Sequence, residues 1–419
     1  MAEVVAGPGS PARQPLLRAM NEQLLLEHIR RAGQLSRADL ARVSRLSKPT
    51  VSGALAKLER AGLVRTSGAR TGVPGPAAIL YEVRPEAGFV LGLDAGSRFL
   101  RGGIVDFTGR LRARTVLKAR AANAHGRIAE LVELAGNLFA EAGITAADVT
   151  QTVLGCPGVY DRTRDALILA GALPGWDKPF VLTELRRAFG GSLMVENDVD
   201  AAALAERAHG HGRGVDSFAL VWIGTGIGMG LVLGGRLHRG AHGAAGEIGY
   251  LPFDSAESTD ARDARRRGSL EAAASAAGIV RAARRKGMRG PVSAHHVFTS
   301  ATRGDERAGH VIENEALLIA KAVSAVVAVA DPELVVLGGG IGQAPGFLDA
   351  VAARLRPLAP VLPELRVSAL GQDAVVDGCL AAGLDRAWEV VMAGLPSPDP
   401  VEVAALDGGR RQVPNTWTS

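Results

Sequence analysis

The residues with the clearest chemical potential are acids set beside glycine turns. GTGIGMGLVLGGRLHRGAHGAAGEIGY, residues 224–250, holds one glycine turn (Gly224, Thr225, Gly226), one carboxylate, Glu247, and a closing Tyr250. Glycine lets a backbone approach a phosphate and offer its N–H groups without obstruction. A carboxylate between glycines is suited to accept a hydrogen bond from a sugar hydroxyl. Two further turns have the same character: Asp94 and Gly96 in FVLGLDAG, and Gly338 and Gly339 in PELVVLGGGI. Turns after strands often contain glycine, but three of this kind in one chain point together to phosphate-binding loops. Asp198, in GSLMVENDVDAAALAERAHG, stands where a strand runs into a helix. It is placed either as a general base for a hydroxyl or as a cap for the helix near Val199.

The elements that must position these groups follow from periodicity. From Phe89 onward, strand-like runs ending in glycine turns alternate with helical stretches, the first near Ile128 to Ala142. This predicts an α/β fold whose two halves face a cleft. Before Phe89 the pattern differs. Leu16 to Arg31 carries Leu17, Met20, Leu24 and Ile29 at helical spacing. SRAD at 36–39 opens a second helix with Leu40 and Val43 on one face, and SKPT at 47–50 opens a third, with Ser47 as its cap and a proline in its first turn. The third helix buries Val51, Ala54, Leu55 and Leu58 and stops at Ala61-Gly62. Two short helices across a tight turn form a helix-turn-helix. The following LVRTSGARTGVPGPAAILYEV predicts a β-hairpin wing carrying Arg70.

Charge agrees with this division. Residues 1–85 carry 13 Lys and Arg against 6 Asp and Glu, while the remainder carries 35 against 37. A basic module on a near-neutral body points to a polyanion partner for the module alone. Ser47, Lys48, Thr50, Ser52 and Arg70 are the candidate DNA-binding residues, the first four at a helix N-terminus where side chains and N–H groups can meet phosphates and base edges. A small protein-interaction module is the other reading of this front. Cys156 and Cys379 are too few for a disulfide framework and lack metal-ligand spacing. No apolar run reaches the roughly 20 residues of a membrane span, so a cytoplasmic protein is expected, with no membrane partner.

Taken together, LSRADLARVSRLSKPTVSGALAKLERAGLV, VLGLDAG, ALPGW, VENDVDAAALAE, GTGIGMG, RGAHGAAGEIG and LGGGI stand in the order found in the ROK family of repressors and sugar kinases. The resemblance covers roughly residues 16–390. It implies a winged helix-turn-helix at 15–85 after a disordered 1–14. An actin-like, two-lobed ROK domain at 86–395 follows, its small lobe about 86–196 plus the C-terminal helix and its large lobe about 197–371, with a flexible tail at 396–419. It further implies a DNA-binding repressor that senses a sugar or related small molecule, acting as a homo-oligomer, dimer or tetramer, on double-stranded operator DNA with an inverted repeat.

By the same resemblance Asp198 matches the family's catalytic base, and Asn197, Glu247 and Glu271 match sugar-contacting positions; Tyr250 joins them as a ligand-facing residue. Asp94, Gly96, Gly224, Thr225, Gly226, Gly338 and Gly339 are remnants of nucleotide loops. The departures oppose catalysis. Arg98 stands where family kinases carry threonine, and Ala172 where they carry an asparagine of NLPGW. The family's zinc ligands, a histidine and three cysteines, fall on Tyr250, Arg262, Ala264 and Ser269. None is a thiolate or imidazole, so no zinc and no other cofactor is expected. The alternative, an ATP- and Mg²⁺-dependent sugar kinase with Asp198 as base and a DNA-binding domain attached, stays open on the sequence.

Overall fold

The computed structural model describes residues 13–70, 77–253, 264–265 and 267–394. The chain divides into two compact units. One comprises Met1–Phe89, Asp106–Arg110 and Asp385–Ser419, the other Val90–Val105 and Leu111–Leu384.

The first unit holds α1 (Arg13–Ala32), β1 (Gln34–Ser36), α2 (Arg37–Ser44), α3 (Lys48–Arg60), β2 (Val64–Arg70) and β3 (Ala78–Val83). Local chemistry fixes the helix starts. The Ser36 hydroxyl accepts the Asp39 N–H at 3.1 Å, and the Asp39 carboxylate accepts the Ser36 N–H at 3.2 Å, a reciprocal capping box. Ser47 caps α3 by accepting the Thr50 N–H at 3.3 Å, with Pro49 in the first turn. Between the helices Arg45 turns the chain in a left-handed conformation, φ 57°. β3 pairs antiparallel with both β1 and β2, which makes a three-stranded wing. The tip expected at Val73-Pro74-Gly75-Pro76 lies outside the described residues.

The core of this unit includes Leu25, Leu26, Ile29, Leu40, Leu55, Leu58 and Tyr81, all buried. Here one sequence expectation fails. Leu17, Met20 and Leu24 are exposed, as is Val43, and the inward face of α1 is Ala19, Glu22, Leu25, Leu26 and Ile29. The α1 sequence is apolar on two faces, so spacing alone could not choose between them. Within the same unit Trp388 packs against Phe107, ring centroids 4.9 Å apart, and Gln23 Nε2 donates to the Met392 carbonyl at 2.7 Å.

The second unit is built on two five-stranded sheets. The first has the order β10-β7-β4-β5-β6, with β4 (Phe89–Ala95), β5 (Phe99–Asp106), β6 (Leu111–Lys118), β7 (Val149–Cys156) and β10 (Leu193–Asn197). A small pair, β8 (Val159–Asp161) with β9 (Ala166–Ile168), stands apart. The helices around it are α4 (Ala124–Ala142), α5 (Pro179–Phe189) and α6 (Asp198–His209). The second sheet runs β13-β12-β11-β14-β15: β11 (Phe218–Ile223), β12 (Ile227–Leu233), β13 (Arg236–Leu237), β14 (Leu334–Gly338) and β15 (Glu364–Val367).

Its helices are α7 (Ser269–Ala274), α8 (Ala276–Arg285), α9 (Ala294–Thr302), α10 (Glu306–Ala330), α11 (Gly339–Gly342) and α12 (Phe347–Leu355), with α13 (Ala374–Gly394) last. The strands read as near-continuous apolar runs because both faces are covered: every residue of β4 and of β14 is buried. A shared core of Val153, Ala201, Phe218, Leu220, Val336 and Cys379 lies among α6, α13 and both sheets. There α6 and α13 nearly touch, since a Cβ on Gly378 would fall 1.6 Å from the Ala201 carbonyl oxygen.

Candidate functional site

Four of the expected site elements begin where strands end. Asp94 lies at the carboxyl end of β4, Asn197 ends β10, Gly224 follows β11 and Gly338 ends β14. Carboxyl ends of strands are where open α/β sheets place their ligands. The two glycine turns of the second sheet are brought together: Gly338 pairs with Trp222, and a Cβ on Gly339 (φ 77°) would lie 2.4 Å from the Ile223 carbonyl oxygen. Gly224 N–H closes its own turn on the Gly226 carbonyl at 2.9 Å. Thr225, at its tip, is exposed. Gly96 is glycine for close approach, because a Cβ there would fall 2.5 Å from the Phe99 carbonyl oxygen.

Asn197, not Asp198, caps α6. Its Oδ1 accepts the N–H groups of Val199 and Asp200 at 2.8 and 3.1 Å, and its Nδ2 donates to the Gly158 carbonyl at 3.0 Å. The Asp198 carboxylate accepts the Val199 N–H at 2.9 Å. Burial pushes Asp198 up to about 6 against that hydrogen bond. Asp94 is driven to about 7 by burial and then by the Asp198 charge. Glu247 is driven to about 7 by burial, followed by the charges of Asp198 and Glu271. Each carboxyl therefore feels the next, and the set Asp94, Asp198, Glu247 and Glu271 forms one acidic cluster from both sheets. Glu271 accepts the Ile227 N–H at 3.0 Å, directly after the Gly224–Gly226 turn, and Arg267 lies 3.7 Å from it. Tyr250 is 42% exposed beside Glu247 and Glu271, and burial with their charges raises its pKa.

Several residues that the sequence did not single out organise this cluster. The Arg239 guanidinium bonds both oxygens of buried Glu196, its Nε at 3.0 Å from Oε2. It thereby ties the start of the Glu247 loop to β10, one residue before Asn197. Asp200 sits buried behind it with Oδ1 unpartnered among the described residues, and burial, then Glu196, pushes it up to about 8. In the first loop the cation facing Asp94 is Arg101, at 3.7 Å; Arg98 is exposed. Arg127 is buried and donates to the carbonyls of Gly96, Ser97 and Ala121 at 3.3, 3.4 and 3.0 Å. Spacing does not mark Arg239, whose partner Glu196 lies 43 residues away on β10.

Zinc does not fit the positions its family ligands would occupy. Tyr250, Ala264 and Ser269 offer no thiolate or imidazole, Arg262 lies outside the described residues, and no cluster of three metal-ligating side chains occurs among the described residues. At the described end of this stretch Gly268 N–H donates to the Ala264 carbonyl at 2.9 Å, and a Cβ on Gly268 would lie 2.2 Å from the Gly249 oxygen.

The candidate DNA-binding residues lie on the first unit. Lys48 is exposed and Ser52 half-buried. The Thr50 hydroxyl lies 2.8 Å from that of its cap, Ser47. Arg70 ends β2 in an ion pair with Asp39 at 3.1 Å. No helix among the described residues is long and apolar enough to cross a membrane.

Known proteins resemble both units. The MarR family model matches residues 21–72 and the ROK family model residues 90–382. Over 192 residues the chain is 39% identical to the bifunctional enzyme NanE/NanK of Brucella suis biovar 1 (strain 1330), covering 46% of this chain and 34% of that one. The chain thus spans about a third of that relative's length. The xylose repressor of Bacillus subtilis (strain 168) is 22% identical over 385 residues, 91% of this chain and 99% of its own. In fold, the crystal structure of a ROK family transcriptional regulator, a homolog of the E. coli Mlc protein, superposes with a TM-score of 0.71 at 23% identity, over 90% of this chain and 98% of that one. Since the ROK model matches well over half of the residues, the chain belongs to the ROK family.

Proposed function

We propose that the protein is a DNA-binding transcriptional repressor whose kinase-like unit senses a sugar or related small molecule without phosphorylating it. The observation that carries this reading is the joining of a capped, basic winged helix to an acidic, hydroxyl-accepting cluster, a pairing matched along 91% of the chain by a xylose repressor. Glu247, Asp198 and Glu271 accept ligand hydroxyls, with Asn197 and Tyr250 at the rim. Ligand occupancy favours one arrangement of the protein and so changes its affinity for operator DNA. The protein acts as a homo-oligomer on an inverted repeat and needs no zinc. The test begins with a randomised duplex pool, from which the protein should enrich one sequence, followed by release of that duplex by sugars. Enrichment of no sequence over random DNA removes the reading.

A specific observation favours the second reading, an active sugar kinase. Asp198, at about 6, is mostly ionised at neutral pH and can take a proton from a hydroxyl, and the 39% identity is to an enzyme. The glycine turns would then hold ATP with Mg²⁺. ATP turnover with a panel of hexoses, abolished in Asp198→Asn, would establish that reading; its absence leaves sensing alone.

A further inference from the structure

A helix residue that faces solvent gains nothing from being glycine, which weakens an interior helix position relative to alanine. Gly53 lies inside α3 and is exposed. A Cβ built on it meets nothing within 4 Å, and its backbone is outside the left-handed region. Neither packing nor conformation within the chain calls for glycine there, and its place on the third helix of the MarR-like module directs attention to what that helix meets.

Its position on the helix says where. Successive residues turn by roughly 100°. The buried face is Val51, Ala54, Leu55 and Leu58. Pro49, Gly53, Ala56 and Arg60 lie within roughly 30° of the opposite direction, and all four are exposed. Thr50 and Ser52, half-buried, fall to the two flanks. Lys57 borders the outward arc, its ammonium donating to the buried Glu22 carboxylate at 2.6 Å, while exposed Lys48 lies at the start of the helix outside that arc. The space beside Gly53 continues into a groove of about 450 Å³ between α1 and α3, with Arg18 and Lys57 on its walls.

Pro49, Gly53 and Ala56 bring no side-chain donor or acceptor to the centre of this arc. The one apolar group that base edges present in the major groove is the thymine methyl. Resting on the DNA-binding reading above, we propose that Gly53 is a specificity-determining residue whose backbone packs against a thymine methyl, in space that any side chain would fill. Exposed Arg60, on the same arc, holds the helix in register through a phosphate, a contact that positions without specifying sequence.

The test uses the full chain and a duplex that the wild-type protein enriches from a randomised pool, with each thymine in turn replaced by deoxyuridine, which lacks the methyl. Wild type should lose at least about fivefold in affinity at one thymine of each half-site. Gly53→Ala should bind the thymine duplex about tenfold or more weakly and regain most of that loss on the matching deoxyuridine duplex. Its thermal midpoint should be unchanged or higher, because alanine suits an exposed helix position better. Equal binding of the thymine duplex by Gly53→Ala and wild type, or an equal loss on every duplex, overturns the inference and leaves the DNA reading standing. If wild type enriches no sequence, both fall.

Discussion

The two units treat charge in opposite ways. In the first, acids are met directly by hydrogen-bond donors and cations. Hydrogen bonds from Ser36, helped by Arg42 and Arg70, hold Asp39 down at about 2, Lys57 pairs with Glu22 at 2.6 Å, and Lys48 and Arg60 are exposed. In the second, Asp94, Asp198, Asp200 and Glu247 are withdrawn from water, and burial raises all four to between about 6 and 8. Cations there are spent on structure, with Arg239 on Glu196 and Arg127 on the first loop. A surface that must attract a polyanion keeps its cations exposed. A site that must select a small hydroxylated molecule keeps its acceptors half-desolvated and close together, where each hydrogen bond counts for more.

The sharpest way to break this contrast is salt. Raising it from 50 to 200 mM should weaken binding of the enriched duplex by about 100-fold or more, through release of counterions. Sugar affinity, measured by calorimetry on the same protein, should move by less than about twofold, since neutral hydroxyls release none. Comparable salt slopes for both ligands would erase the distinction.

Glu247→Gln should come next in size. Losing a charged acceptor corresponds to roughly 1.5–3 kcal/mol, or about 10- to 100-fold in sugar affinity. Affinity for DNA without sugar should be unchanged, and a matching loss there would show that the variant disturbs the whole protein.

Titration by pH sharpens the second unit alone. Hydroxyls donate to ionised carboxylates, so sugar affinity should rise through pH 6–7 as Asp198 and Glu247 ionise, by about tenfold between pH 5.5 and 8. Stability runs the other way. A carboxyl whose folded value is raised binds its proton more tightly in the folded state, so its contribution is complete below about 4 and is lost as pH rises through the folded value. Asp200, at about 8, should dominate, and Asp200→Asn should flatten the fall in thermal midpoint between pH 5 and 9 by several degrees. An unchanged slope would mean that Asp200 is hydrated.

The smallest effect belongs to the first unit. Ser36→Ala removes the α2 cap, at a cost of about 1 kcal/mol. It should lower the midpoint of the first unit by a few degrees and leave the sugar response intact.

Much of this was legible in the sequence because its causes are local. The Ser36–Asp39 and Ser47–Pro49 starts, the wing and the glycine turns each depend on neighbours within a few residues, and a motif order as long as this one carries the ROK fold with it. What spacing could not give was choice and partnership. It could not choose which apolar face of α1 points inward, and Leu17, Met20 and Leu24 turned out to face solvent. Nor could it decide whether Asp198 caps α6, because the competing cap, Asn197, is stabilised by the Gly158 carbonyl 39 residues away.

A basic winged helix ahead of a two-lobed α/β body can be read from residue order alone, as can the lack of thiolates at the family's zinc positions. Which groups feel one another depends on how the strands pack. Arg239 on Glu196 and the raised carboxyls of both sheets arise from strands far apart in sequence that close on a shared, water-poor space. Burial and long-range pairing are properties of that space, and no single stretch of the chain contains them.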